Sequence, residues 1–169
     1  MPPWRRPSTT EMSVISDEYR KVVSRFATGV TIVTTQNAQG QPYGLTVSAF
    51  TSVSLDPLLV LVCLSNHLSG LEAFQESNRF GINLLTVDQE ELSNHFATPG
   101  TDRSQGPYVS GQTGIPVLEG VIARLECEVT EWYPGGDHTI MMGEVKSAEI
   151  MNAEKEPLLY YGGRYRRLK

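Results

Sequence analysis

The sequence is short of long apolar runs: the longest strongly apolar stretch is Leu58 to Leu64, well below the ~20 residues that carry a helix across a bilayer. No membrane partner is expected. The first residues, Met1-Pro2-Pro3-Trp4-Arg5-Arg6-Pro7, carry positive charge with no apolar segment behind them, so no secretory leader is expected either. Cysteine is scarce, and Cys63 and Cys127 both stand in strand-like apolar surroundings; buried, reduced thiols in a reducing cytoplasm are expected. His67, His95 and His138 are far apart, with no H-x-x-x-H pair and no C-x-x-C, so a metal site would have to be assembled from scattered ligands. No G-x-G-x-x-G opens a helix after a strand, which excludes a nicotinamide cofactor held in the dinucleotide-fold manner. A P-loop and a nucleophile elbow are missing too.

Positive charge is also sparse where it would matter. Arg5, Arg6, Arg164, Arg166, Arg167 and Lys169 lie at the two ends, leaving eight basic against nineteen acidic residues between Glu11 and Gly163, a balance of −11. Such a body repels phosphate backbones, and no nucleic-acid partner is expected. An anionic ligand would need a few positioned donors.

What is present is ordinary globular composition in 169 residues, enough for one domain and too few for two ordinary enzyme domains. Residues 1–15 read as a flexible tail and 16–169 as the domain. A helix is expected from Asp17 to Thr28, capped by Ser16 and ended by Gly29, with Tyr19, Val22, Val23 and Phe26 as its apolar stripe. Val30 to Thr35 reads as a strand, Asn37 to Gly40 as a turn, and Tyr43 to Leu55 as one long extended stretch. Leu58 to Leu64 is apolar on both faces, as a buried central strand requires. Ser69 is expected to cap a short helix through Glu76, and Asp88 with Glu91 to open another after a strand from Arg79 to Thr86. The aperiodic stretch from Thr98 to Gly114 has the length and composition of a loop that serves a site. Beyond it, Val121, Ala123, Leu125, Cys127 and Val129 alternate with Arg124, Glu126, Glu128 and Thr130, the latter set facing outward. Pro134-Gly135-Gly136 turns the chain into a strand through Val145 to Ile150, and Leu158 to Tyr165 supplies the last. Many strands, few short helices and hairpin-length connections favour a mainly β (α+β) domain: a closed antiparallel barrel with a few short flanking helices.

Two segments carry candidate chemistry. In Gly44-Leu45-Thr46-Val47-Ser48-Ala49-Phe50-Thr51-Ser52, hydroxyl and apolar positions alternate, so Thr46, Ser48 and Ser52 share a face that could bind the polar edge of a flat ligand. Small Ala49 would leave room for a ring. An ordinary solvated strand face shows the same alternation. At Gly136-Asp137-His138 the glycine permits a sharp turn, and His138 could donate to a carbonyl or carboxamide; a surface histidine after a turn would look no different.

Together with Phe26 to Thr35, Asp56-Pro57, Phe80-Gly81-Ile82-Asn83-Leu84-Leu85, Phe96-Ala97 and Gly143-Glu144-Val145, these segments fall in an order that resembles the flavin reductase family with the FMN-binding split-barrel fold. That family includes the reductase components of two-component flavin monooxygenases. The resemblance runs from about Tyr19 to Leu168; Leu58 stands where the family has a second proline, and the N-terminal tail has no counterpart.

The resemblance implies a Greek-key split barrel and a homodimer with a flavin, FMN or FAD, in a groove at the interface. Gly44, Leu45, Thr46, Val47, Ser48, Ala49, Ser52, Cys63 and Leu64 would lie along the flavin, and Ser65, Ser69 and Arg103 would receive its phosphate. Gly136, Asp137 and His138 would meet the nicotinamide of NADH or NADPH, with His138 as the catalytic residue that orients the carboxamide and the Tyr160 to Tyr165 strand close by. The implied activity is hydride transfer to flavin, releasing reduced flavin to a flavin-dependent monooxygenase or a ferric complex. Two rivals remain: a non-catalytic flavin- or haem-binding protein on the same barrel, and an oxidase of the pyridoxamine-phosphate type, for whose substrate phosphate no second basic set is present.

Overall fold

The computed structural model describes residues 9–168, with side chains from residue 16 onward. Residues 1–8 of the expected tail lie outside the described residues, while the rest of that tail belongs to helix α1 (Thr9–Val23). The helix starts earlier than its apolar stripe suggests and also stops earlier. Ser24 Oγ donates to the Lys21 carbonyl at 2.8 Å, a local bond that competes with helix continuation. Thr28–Gly29 is instead strand β1, so Gly29 is no helix terminator. The stripe does not face a core: Tyr19, Val22 and Phe26 are 65, 71 and 78 % exposed.

The chain continues through β2 (Thr31–Gln36), β3 (Pro42–Val47), β4 (Phe50–Leu55), β5 (Leu58–Ser65), α2 (Leu71–Ser77), β6 (Arg79–Leu84) and α3 (Glu90–Ala97). It ends with β7 (Tyr108–Ser110), β8 (Pro116–Leu118), β9 (Ala123–Gly135), β10 (His138–Ile150), β11 (Leu159–Tyr161) and β12 (Arg164–Arg166). Seven strands form an antiparallel sheet in the order β3-β2-β6-β9-β10-β5-β4. Its edge strands, β3 and β4, are consecutive in the chain and separated only by Ser48 and Ala49. Three peptide steps reach at most about 11 Å, whereas six strand spacings in a flat sheet cover about 29 Å. The sheet must therefore curl until its edges meet at Ser48–Ala49. Among the described residues no ladder joins β3 to β4, and the extended stretch expected to be one strand is two, on opposite edges.

Curling encloses one core of Val33, Leu45, Val47, Val60, Val62, Leu64, Phe80, Ile82, Cys127 and Met141. Alternate residues of β2 face outward into a second core with Val30, Leu85, Phe96, Leu118, Val121 and Leu158. Thus β2 and its neighbour β6 are buried on both faces, while β5 buries Val60, Val62 and Leu64 and leaves Leu59, Leu61 and Cys63 half-buried on the other side. Gly143 lies against the Phe80 ring with no room for a Cβ.

Other local expectations move for identifiable reasons. α2 follows Gly70, whose φ of 100° and contact with the Tyr43 ring suit only glycine, and Ser69 does not cap it. The side-chain bond before α3 runs from Thr86 N–H to Gln89 Oε1 at 3.0 Å, two residues before Asp88 and Glu91 would place it. The last strand is the β11–β12 hairpin, turned by Gly162 and Gly163 with φ of 62° and 78°. Glu126 is not outward: it is fully buried, accepting the N–H groups of Gln112 at 2.7 Å and Thr113 at 2.6 Å, and the Thr113 hydroxyl at 2.5 Å. The loop between β7 and β8 covers the outer face of β9 at that point, and Gly111 presses against the carboxylate where a Cβ would not fit. No helix among the described residues is long and apolar enough to cross a membrane.

Candidate functional site

The edge-to-edge crossing creates the site. Ser48 and Ala49 are exposed there, and the Ala49 carbonyl accepts the Cys63 N–H at 3.0 Å, tying the crossing to β5. In the β5–β10 ladder Ser65 stands opposite His138 and Cys63 opposite Ile140. The result is a cavity of about 260 Å³ lined by Leu45, Thr46, Val47, Ser48, Ala49, Cys63, Ser65, Leu68, Ala97 and His138. Ser48, Ala49 and Cys63 also border a larger cavity of about 810 Å³ on their other side, with Phe26, Phe50, Leu61 and Tyr160. Two cavities therefore share one wall of small side chains.

The turn at Gly136, whose φ is +80°, is held in place by a residue with no signal in the sequence reading. Asn66 donates its N–H to the Asp137 carbonyl at 3.0 Å and its amide to the Gly136 carbonyl at 3.3 Å, and its Oδ1 accepts the Thr139 hydroxyl at 2.6 Å. His138 Nδ1 bonds Asp137 Oδ1 at 2.7 Å, which fixes the imidazole and holds the Asp137 carboxyl below the usual carboxylate range. Thr46 is less available than its place in the alternation suggests. Its hydroxyl donates to the Ser93 carbonyl at 2.7 Å, and Ser93 Oγ pairs with Tyr165 Oη at 2.8 Å. The Ser48 hydroxyl has no partner among the described residues.

Several residues singled out by sequence stay outside the small cavity. Gly44 packs under Phe96 and the Tyr108 hydroxyl with no space for a Cβ. Leu64 is core, 1 % exposed. Ser52 sits on β4 next to a register shift between Ser52 and Ser54, which breaks the shared face with Thr46 and Ser48, and it lines neither cavity. Gly136 and Asp137 form the turn without lining the cavity. The Ser69 carbonyl accepts the Tyr43 hydroxyl, and Arg103 Nη1 donates to the same hydroxyl at 2.7 Å. Arg103 is 7 % exposed, and its Nε has no hydrogen-bond partner among the described residues. It borders a third cavity of about 410 Å³ with Tyr43, Gly70 and Ser104. Sequence reading named Arg103 and Ser69 but not Tyr43, the group that joins them.

Burial sets the thiols apart. The Cys127 thiol is pushed up to about 12, chiefly by burial with the nearby Glu126 charge adding to it, and Cys63 is raised by burial alone. A raised value means less thiolate at neutral pH, so iodoacetamide should modify Cys63 more slowly than a free cysteine and Cys127 scarcely at all. Mass spectrometry of timed samples reads this, and modification of Cys127 as fast as Cys63 would mean that burial does not set the two apart.

Residues 23–169 match the family model described as flavin reductase like domain. An NADH-dependent flavin reductase from a Rhodococcus species is 40 % identical over 152 residues, covering 89 % of this chain and 85 % of the relative. Among solved structures, nitrilotriacetate monooxygenase component B from Mycobacterium thermoresistibile superposes with a TM-score of 0.88 at 32 % identity, over 94 % of this chain and 89 % of that one. The NADH:FAD oxidoreductase of Streptomyces globisporus, solved with NAD and FAD fragments, gives 0.84 at 38 % identity over 91 % and 93 %. Fold and relatives together define an oxidoreductase that works on flavin. The chain belongs to the flavin reductase like family.

Proposed function

We propose that this chain transfers hydride from NADH or NADPH to FMN or FAD at the wall shared by the two cavities, and releases reduced flavin to a monooxygenase. The observation that carries this reading is the juxtaposition of Ser48, Ala49 and Cys63 with His138 around one cavity, with a second cavity on the far side of the same wall. The two cofactors supply donor and acceptor; the protein supplies proximity and orientation.

The residues fit such ligands. Ala49 offers a flat, small surface, and the unpartnered Ser48 hydroxyl can donate to a polar ring edge. Arg103, with a buried Nε lacking a partner, has a donor to spare for a phosphate, and Tyr43 connects it to the Ser65–Ser69 loop. With Nδ1 donating to Asp137, Nε2 of His138 is left to engage the carboxamide. His138 is then an orienting group, because hydride transfer removes no proton there. A second copy of the chain, completing the split barrel as a homodimer, is part of the same reading.

Anaerobic mixing of catalytic amounts of protein with FMN or FAD and NADH or NADPH tests it. Loss of flavin absorbance is expected; flavin binding without bleaching would make the chain a carrier. A His138→Ala variant should raise the coenzyme KM by about tenfold, the worth of one well-placed hydrogen bond. Parental coenzyme affinity and reduction rate in that variant would overturn the role given to His138.

A further inference from the structure

Eight basic residues lie between Glu11 and Gly163, and five of them are engaged. Arg124 pairs with Glu149, Lys146 with Glu144 and Glu128, and Lys155 with Asp88. Arg79 donates to the Thr113 carbonyl, and Arg103 is buried against Tyr43. The three with no ion pair among the described residues are Arg20, Lys21 and Arg25, at the end of α1 and the turn after it. Arg20 and Lys21 line the 810 Å³ cavity, and the Arg25 guanidinium stands beside Gly162, another of its lining residues. The Gly162 N–H donates to the Ser24 carbonyl at 2.8 Å, so the β11–β12 hairpin and the helix end hold this rim together.

We propose that Arg20, Lys21 and Arg25 bind the phosphates of the nicotinamide coenzyme at the mouth of this cavity. The inference rests on the flavin reductase reading and adds where the coenzyme enters and what holds its far end. In a body carrying −11 charges, an anion finds one uncompensated cationic patch among the described residues away from the termini, and it lies beside an apolar cavity. The walls below, Phe26, Phe50 and Leu61, suit flat rings, and the rim suits a pyrophosphate. Asp17 and Glu18, the acids of the same helix end, line no part of the cavity. Ser48, Ala49 and Cys63 line both this cavity and that of His138, so a coenzyme held by Arg20 and Lys21 shares a cavity with the common wall.

ADP-ribose, which carries the coenzyme's pyrophosphate and no hydride, is the probe for calorimetry on the full chain. Binding to the parent should weaken as salt rises, and an Arg20→Glu/Lys21→Glu variant should bind at least about tenfold more weakly. In turnover the variant's loss should fall at least about tenfold harder on NADH than on 1-benzyl-1,4-dihydronicotinamide, a donor with no phosphate. Both side chains are exposed, so the fold should survive, and circular dichroism checks it. Equal ADP-ribose binding by parent and variant, equal losses with both donors, or a change of sedimentation instead of affinity would each overturn the proposal. A parent that reduces flavin with neither donor would overturn the flavin reductase reading itself.

Discussion

An Ala49→Trp variant is expected to lose at least about a hundredfold in kcat/KM for flavin, some 3 kcal/mol of transition-state stabilisation, while keeping its fold. Ala49 is exposed, so an indole there displaces nothing in either core. Its backbone contribution, the carbonyl that accepts the Cys63 N–H at 3.0 Å, survives any side chain. What an indole does remove is space: the small cavity is about 260 Å³, and Ala49 borders both it and its larger neighbour. Steady-state kinetics with flavin fluorescence titration reads the effect, and thermal melting should place the variant within about 3 °C of the parent, since surface changes usually cost little. A rate within a few-fold of parental would mean that no reacting ring lies against Ala49.

The largest effect on stability is expected at Glu126. A Glu126→Ala variant leaves the Gln112 N–H, the Thr113 N–H and the Thr113 hydroxyl without their acceptor. Each unsatisfied donor costs about 1–3 kcal/mol when kept from water, and part of that is recovered as the loop between β7 and β8 opens; a net loss of roughly 3 kcal/mol follows. Urea unfolding should show a lower midpoint. Glu126→Gln should lose less, because its single carbonyl oxygen still accepts one N–H. A midpoint shift worth under about 0.5 kcal/mol for the alanine variant would mean that other contacts hold the loop.

The alternation along β9 is real, and Glu126 does point away from the inner core, yet it is buried because a ribbon from twelve or more residues upstream covers it. Periodicity reports the side of a strand and says nothing of what lies across that side. The hairpin turns at Asn37–Gly40 and at Gly136 were legible because glycine at positive φ is a local requirement, although Pro134 and Gly135 still belong to β9. The break at Ser48–Ala49 was not, since both halves have strand-like composition and only the sheet order separates them. The hydroxyl row loses Ser52 to the register shift between Ser52 and Ser54, and Thr46 is tied to Ser93. Arg103 was legible as a lone cation in an aperiodic loop; its seat behind Tyr43, sixty positions away, was not. Of the apolar stripe expected on the first helix, Tyr19, Val22 and Val23 do lie on α1 while Phe26 falls beyond its end, and all four are exposed.

The sheet order also governs the sequence of events as the chain emerges during synthesis. Strands β2, β3 and β6 form one flap and β4 with β5 another, and only β9 and β10 bridge them, with β9 against β6 and β10 against β5. Those bridging strands begin at Ala123. A nascent chain that stops short of them holds two half-sheets hinged at Ser48–Ala49, with His138 yet to be made. The cavity that Ser48, Ala49 and Cys63 line together with His138 is thus built only once β9 and β10 have joined the two half-sheets.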